Sequence, residues 1–507
     1  MALAQHLAFN FEEAEELYDE AFCCRVEDPP QVEPTESIST AVTKPDAFVP
    51  GDVYSSDGAY FTEHLFRGLL MIDGDLNVVP AMADNFRVSS DGLTYLFRLR
   101  EGCRWSDGEP LTAEDFAFAW QSMREERTQT AFMMEDVESA VALDERTLEV
   151  RLREPRNFFP YILASAWSFP WPKHKCQELG EDWRKPEHLV GNGPFMLSEF
   201  DDDHALLVAN PHWVEPRGNV RDLHFDFKTK SQDVSKLWRE GHYDLLPVYD
   251  ESVGDAPQTV AEIVPELWLN YLGFRADSAP FSNIHLRKAF AHAIDREALL
   301  AGTNSINRPA VRGGAIPPAM PGHSHRVALE YDLDRARELL SEAGYPEGRG
   351  LPPIEVLVPS WFQFGDALAE QWAAIGAKVT VTAQTGLPDP CAVGTAHAWV
   401  AGWSADYPDP DGVFRGFFQT GWPFYSDDEI LEKLDQARSL ENQDERMRLY
   451  HEIDRIWVAE RAGIVPLAYG RTMLLRRPWV HSVWVNPLQR AHLDKAVVRR
   501  AESTSSP

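Results

Sequence analysis

With 507 residues, 44% of them hydrophobic, the chain is long enough for two or three lobes rather than one core. Eighty acidic against 48 basic residues give a formal charge of −32, a balance that repels nucleic acid and anionic membranes. No apolar run approaches the roughly 18 residues of a membrane span, and five cysteines without a C-x-x-C argue against a disulfide framework or a thiolate zinc site.

Residues 1–24 contain no basic residue and no sustained apolar core, so they lack the pattern of an export signal. Ala14, Leu17, Tyr18, Ala21 and Phe22 are instead spaced for one face of a helix, and the adjacent Cys23 and Cys24 sit in the same helical pattern. This segment resembles the second half of a tetratricopeptide repeat; an ordinary amphipathic helix docked on the main body is the plainer alternative. A proline-containing acidic linker, Glu27 to Glu36, closes an extension expected over 1–36.

Beyond it the chain alternates short β-type runs with helical patterns. Strands are expected at Ile38–Val42, Tyr95–Leu99, Thr147–Leu152, His224–Phe227, Leu267–Phe274, Ile354–Val358 and Lys378–Thr382. Helices are expected at Ala113–Arg124, Leu286–Ala301, Leu333–Ala343, Gly365–Ile375 and Asp427–Val458, the last broken near Leu440–Gln443. The strand at Lys378 after the helix at Gly365 has the βαβ character of a parallel sheet, which makes the chain α/β. A disordered tail is expected over 496–507.

Chemistry concentrates after Ala396–Ala401, a run short enough to be a buried strand. It leads into Gly402-Trp403-Ser404-Ala405-Asp406-Tyr407-Pro408-Asp409-Pro410-Asp411, read as a rigid loop with an aromatic platform and a carboxylate. A half-buried Asp needs a positive partner, so such a loop suits capture of a cationic group; a capped turn is the plainer alternative. Enzyme motifs do not assemble. The G-x-S-x-G elbow fails because Asp406 stands where its last Gly belongs, and no phosphate-binding G-x-x-x-x-G-K-[ST] occurs. His323 and His325 lack a third metal ligand at useful spacing and are expected in a solvent loop. No cofactor is called for.

The 402–411 stretch resembles the GW-x-ADY-x-(D/E)P signature of family 5 solute-binding proteins, the peptide-binding components of ABC importers. Other blocks resemble the family in the same order: Thr62–Leu70; Asp91–Gly102 followed by Trp105–Asp115; Val190–Phe195; Pro280-Phe281 through Glu297; and Ala336–Tyr345. The resemblance implies a two-lobed class II periplasmic-binding-protein fold with an inserted small subdomain. Lobe I would combine about 37–60, 180–274 and 471–495, the subdomain would span 61–179, and lobe II about 275–470. It also implies a non-enzymatic module that takes short peptides, a monomer working with ABC permease subunits, with no nucleic-acid partner.

By position in the motif, Asp406 would hold the peptide ammonium, with Trp403 and Tyr407 beside it. Peptide backbone would pair with an exposed strand edge near Leu269–Phe274, bringing in Asn270 and Tyr271. A family Trp expected near Gln384–Gly386 is absent. The family implies a periplasmic or cell-surface location, whereas residues 1–24 leave the cytoplasm open. The alternative use of the same fold is a cytoplasmic ligand-sensing module of a fused transcriptional regulator.

Overall fold

The computed structural model describes residues 33–53, 55–227, 231–248, 258–301, 310–360, 362, 364–385, 394–418, 424–440 and 442–500. Residues 1–32, which include the tetratricopeptide-like helix expected within 1–24 and Cys23 and Cys24, lie outside them. The chain divides into two compact units, one of 1–248, 252–262 and 474–507, the other of 249–251 and 263–473. The expected boundaries of lobe II were 275 and 470.

In the first unit, β1 (Glu36–Ala41) pairs in parallel with β10 (Val220–Asp226), and β9 (His204–Ala209) and β8 (Phe195–Phe200) complete the sheet. The helix Ser56–Leu65 starts where the Ser55 hydroxyl accepts the Gly58 N–H. It sets Phe61 edge-on to Phe225 at 5.3 Å between ring centroids. A second sheet runs β4 (Ala83–Val88), β5 (Thr94–Leu99), β7 (Thr147–Leu152), β6 (Val137–Ala142), all antiparallel. Its alternating pattern buries Tyr95, Phe97 and Leu99 and turns Leu96 and Arg98 outward. This sheet and the helix Ala113–Glu126 occupy the span expected for the inserted subdomain. The segment from 496 is not uniformly a tail. Val497–Val498 forms β18, paired with β17 (Val480–His481), and Arg500 bonds Asp244. Backbone pairing and an ion pair fix these residues; 501–507 lie outside the described residues.

In the second unit, neighbouring strands run in the order β16 (Ile464–Arg476), β12 (Val260–Phe274), β15 (Ala398–Ser404), β13 (Ile354–Pro359), β14 (Val379–Gln384). The expected βαβ unit is present: β13 and β14 are parallel, with the helix Gly365–Ala373 between them in sequence. The core gathers Leu272, Phe274, Phe290, Ile354, Val356, Leu368, Trp372, Ala398 and Val400. Each large apolar side chain buried there contributes about 1.5–3 kcal/mol. The Trp372 indole N–H donates to Phe290 O at 3.1 Å, so that ring is buried without losing a hydrogen bond.

One helix expectation changes in detail. Leu286–Ala301 is two helices, Ile284–His292 and Arg296–Leu300, because Asp295 leaves the helical conformation and caps the second through Ala298 N–H at 3.0 Å. The long segment after Asp427 breaks as expected into Asp428–Ser439 and Gln443–Asp454, each with its own side-chain cap, Asp427 and Asn442.

Candidate ligand site

The motif after Ala396 is a strand for longer than its composition suggests. β15 runs through Gly402, Trp403 and Ser404, antiparallel to β12, with Trp268 opposite Ser404, Asn270 opposite Gly402 and Tyr271 opposite Ala401. The loop is therefore only 405–409, and the helix Pro410–Phe418 starts at once. Proline at the first helical position is the reason, since its missing N–H would have had no partner there.

β12 lies between β16 and β15, so the edge expected at Leu269–Phe274 is closed on both sides. The open edge belongs to β15. Its ladder to β13 covers only Ala398 and Trp399, and past them no strand of the described residues pairs with it. Which backbone groups that edge offers follows from the alternation of an antiparallel pair. Arg275 N–H donates to His397 O and Ala405 N–H to Leu267 O, so odd-numbered residues of β15 face β12. The N–H and C=O of Gly402 and Ser404 therefore face the other way.

Indoles lie against both faces of this segment. Trp268 crosses Gly402: a methyl group there would sit 2.0 Å from its Cζ2. Its Nε1–H donates to Asn270 Oδ1 at 3.0 Å. On the opposite face Trp403 lies on Gly416, where a methyl would come within 1.9 Å, and packs on Phe417. Trp403 is half-buried with its Nε1 buried and without a hydrogen-bond partner among the described residues. Tyr271 is 1% exposed, edge-on to Phe417, and burial holds its phenol well above the usual range.

The three carboxylates of the motif meet different fates. Asp409 is buried and accepts Nη1 and Nη2 of Arg446 at 2.7 and 2.6 Å. Asp411 accepts Arg438 Nε at 2.6 Å, the Tyr407 hydroxyl at 2.9 Å and the Tyr450 hydroxyl at 3.4 Å. Burial alone would raise the Asp411 carboxyl, but the Arg438 charge overrides it and holds the group below the usual carboxylate range. Asp406, two residues beyond the open edge, is half-buried.

The five sequence candidates therefore separate. Trp403 and Asp406 stay beside the open edge. Tyr407, 1% exposed, turns into the interior and gives its hydroxyl to Asp411. Asn270 and Tyr271 are buried on a strand paired on both sides, because the long strand β16 takes the edge that would have served a ligand. Trp268 had no signal beyond being aromatic in a strand; the glycine opposite its neighbour, Gly402, was the clue. His323 is half-buried rather than in solvent: its Nδ1 reaches Ile316 O at 2.6 Å and its ring packs on Tyr469. Among the described residues no group of three His, Cys, Asp or Glu is placed to hold a metal ion, and no helix is long and apolar enough to cross a membrane.

Comparison with known proteins gives this geometry a context. The profile of the bacterial extracellular solute-binding proteins, family 5 Middle, matches residues 77–424. A protein of Escherichia coli K12 named "Probable deoxycholate-binding periplasmic protein" is 26% identical over 476 residues, covering 86% of this chain and 88% of that one. The dipeptide-binding protein of Bacillus subtilis is 24% identical over 487 residues, 88% of each chain. The fold is also similar to an ABC transporter substrate-binding protein of Listeria monocytogenes, with a TM-score of 0.80 at 19% identity over 92% of this chain and all of that one. A Pseudoalteromonas dipeptide-binding protein in complex with Met-Leu gives a TM-score of 0.78 at 18% identity, over 92% of this chain and all of that one.

Proposed function

The chain belongs to the family 5 bacterial extracellular solute-binding proteins, which bind and do not catalyse, and from that premise we propose that it captures short peptides for an ABC permease. The observation that carries this reading is the open edge of β15. Two residues there, Gly402 and Ser404, present backbone donors and acceptors in a strand already held flat by β12. A peptide backbone added alongside gains hydrogen bonds without regard to its side chains, the recognition mode of strand addition. Asp406 follows at once, on the same loop, as the group for the peptide ammonium. Asp409 and Asp411 are matched to Arg446 and Arg438 and serve the loop's own structure. The dipeptide-binding relatives support the peptide class.

Calorimetry with di- to pentapeptides, free or N-acetylated, tests the reading. Wild type should prefer the free amine. Removing one partner of a desolvated charge pair costs about 2–5 kcal/mol, so Asp406→Asn should weaken free-amine peptides about 30-fold or more. The acetylated peptide, poor already, should change little. Equal affinity for both forms rejects the ammonium role, and binding of deoxycholate with no peptide binding rejects the peptide class.

A further inference from the structure

We propose that Trp268 is a specificity-determining platform that selects an aromatic side chain at one position of the ligand, the residue lying opposite Gly402. The inference rests on strand addition at β15 and goes beyond it by naming a side-chain preference.

Trp268 belongs to β12, one strand in from the open edge, and its indole does not stay over its own strand. It reaches across Gly402, where any side chain would collide with it at 2.0 Å. The other neighbouring strand also carries a glycine beside it: a methyl at Gly470 of β16 would fall 2.7 Å from the Trp268 Cβ. Absence of side chains at both positions gives the indole its room. Asn270, itself 3% exposed, then fixes the ring through the 3.0 Å bond to Nε1. The result is a half-buried aromatic surface held in one orientation beside Gly402, where no strand of the described residues pairs with β15 on the side away from β12.

Cross-strand geometry says which ligand residue meets it. Gly402 points its backbone groups toward the open edge, so a ligand strand pairs with it there. Side chains of directly opposed residues lie on the same face, about 4.5–5.5 Å apart. Gly402 shares its face with Asn270 and, across the sheet, with Trp268 opposite Ser404. Since Gly402 has no side chain, the cross-strand neighbour of that ligand residue is the Trp268 indole. An apolar ring stacked or tilted on a fixed indole gains more than a methyl does, and orientation costs little because the platform is already ordered. The opposite face, with Trp403 laid on Gly416 and Phe417, offers the alternate ligand side chains a different surface.

The test is a tetrapeptide panel of free-amine alanine peptides with one Phe moved through each position, titrated calorimetrically into wild type, Trp268→Ala, Trp268→Phe and Asn270→Ala. Wild type should prefer Phe at one position by about 3- to 10-fold. Trp268→Ala should erase that preference, so that within this variant the Phe peptides bind within about twofold of tetra-alanine whatever its overall affinity. Trp268→Phe should keep part of it, and Asn270→Ala, which frees the ring, should lower it. A positional preference that survives Trp268→Ala, or a wild type that binds all the peptides alike, overturns the platform and leaves strand addition standing. Failure of wild type to bind any peptide overturns both.

Discussion

One helix, Gln443–Asp454, carries two buried ionisable groups with opposite solutions to burial. At its first turn Arg446, fully buried, meets Asp409 through two hydrogen bonds, and Tyr450 one turn on completes the contact at 3.1 Å. Burial disfavours that guanidinium, yet the Asp409 charge raises its pKa. At the last turn Asp454 is equally buried, accepts Ala315 N–H at 2.8 Å, and has no ion pair among the described residues. Burial pushes its carboxyl up to about 7, against the Ala315 and Ser324 hydrogen bonds that favour the charged form. The first group is held charged by a partner from the motif loop. The second escapes its desolvation by taking a proton. Low dielectric is common to both; the difference is whether another segment delivers the opposite charge.

That contrast can be broken at either end. Arg446→Ala leaves Asp409 buried without a counter-charge, and breaking a buried pair costs about 3–5 kcal/mol. The variant should melt far below wild type, and because Asp409 caps the helix that supports Trp403, peptide affinity should fall with it. A thermal melt unchanged within a degree or two would show that the pair is not what holds the loop.

Asp454 should reveal itself through pH. Its folded pKa lies above its unfolded one, so its contribution to stability is whole below about pH 4 and is lost as pH rises toward 7. The loss reaches at most about 4 kcal/mol from a shift of that size. Asp454→Asn should match wild type near pH 4 and exceed it at pH 8, read as a difference between two denaturation curves at each pH. A constant difference across that range contradicts a protonated acid.

Gly402→Ala is the smallest expected effect. The new methyl must displace the Trp268 indole, and overpacking of this kind costs about 1–3 kcal/mol. The aromatic preference of the ligand site should vanish at the same time, which chemical denaturation and the peptide panel would show together. Preserved preference would separate Gly402 from the platform.

Much of this was legible in the chain. Period and composition placed β13, β14 and the helix between them to within two residues, and the break expected near Leu440–Gln443 falls where Asn442 caps the helix that follows. The motif announced a carboxylate-rich loop beside a strand. That Asp409 and Asp411 are taken up inside the fold was not legible, because Arg438 and Arg446 lie 27 and 37 residues from their partners and only the fold brings them back. The open edge was misplaced for a similar reason. β16, whose apolar run contains Pro466, does not advertise itself as a central strand, yet it closes β12 and transfers the free side to β15. Trp268 was invisible as a site residue because its meaning lies in a glycine 134 positions away, across the sheet.

Hydrogen–deuterium exchange resolved at single amides tests the central claim most directly. With a saturating free-amine peptide, strand addition at β15 predicts new protection at the amides of Gly402 and Ser404, while Trp403 and Ala405, which face β12, keep the rates of the unliganded protein. A peptide that binds with measurable affinity and leaves the exchange of Gly402 and Ser404 unchanged contradicts it.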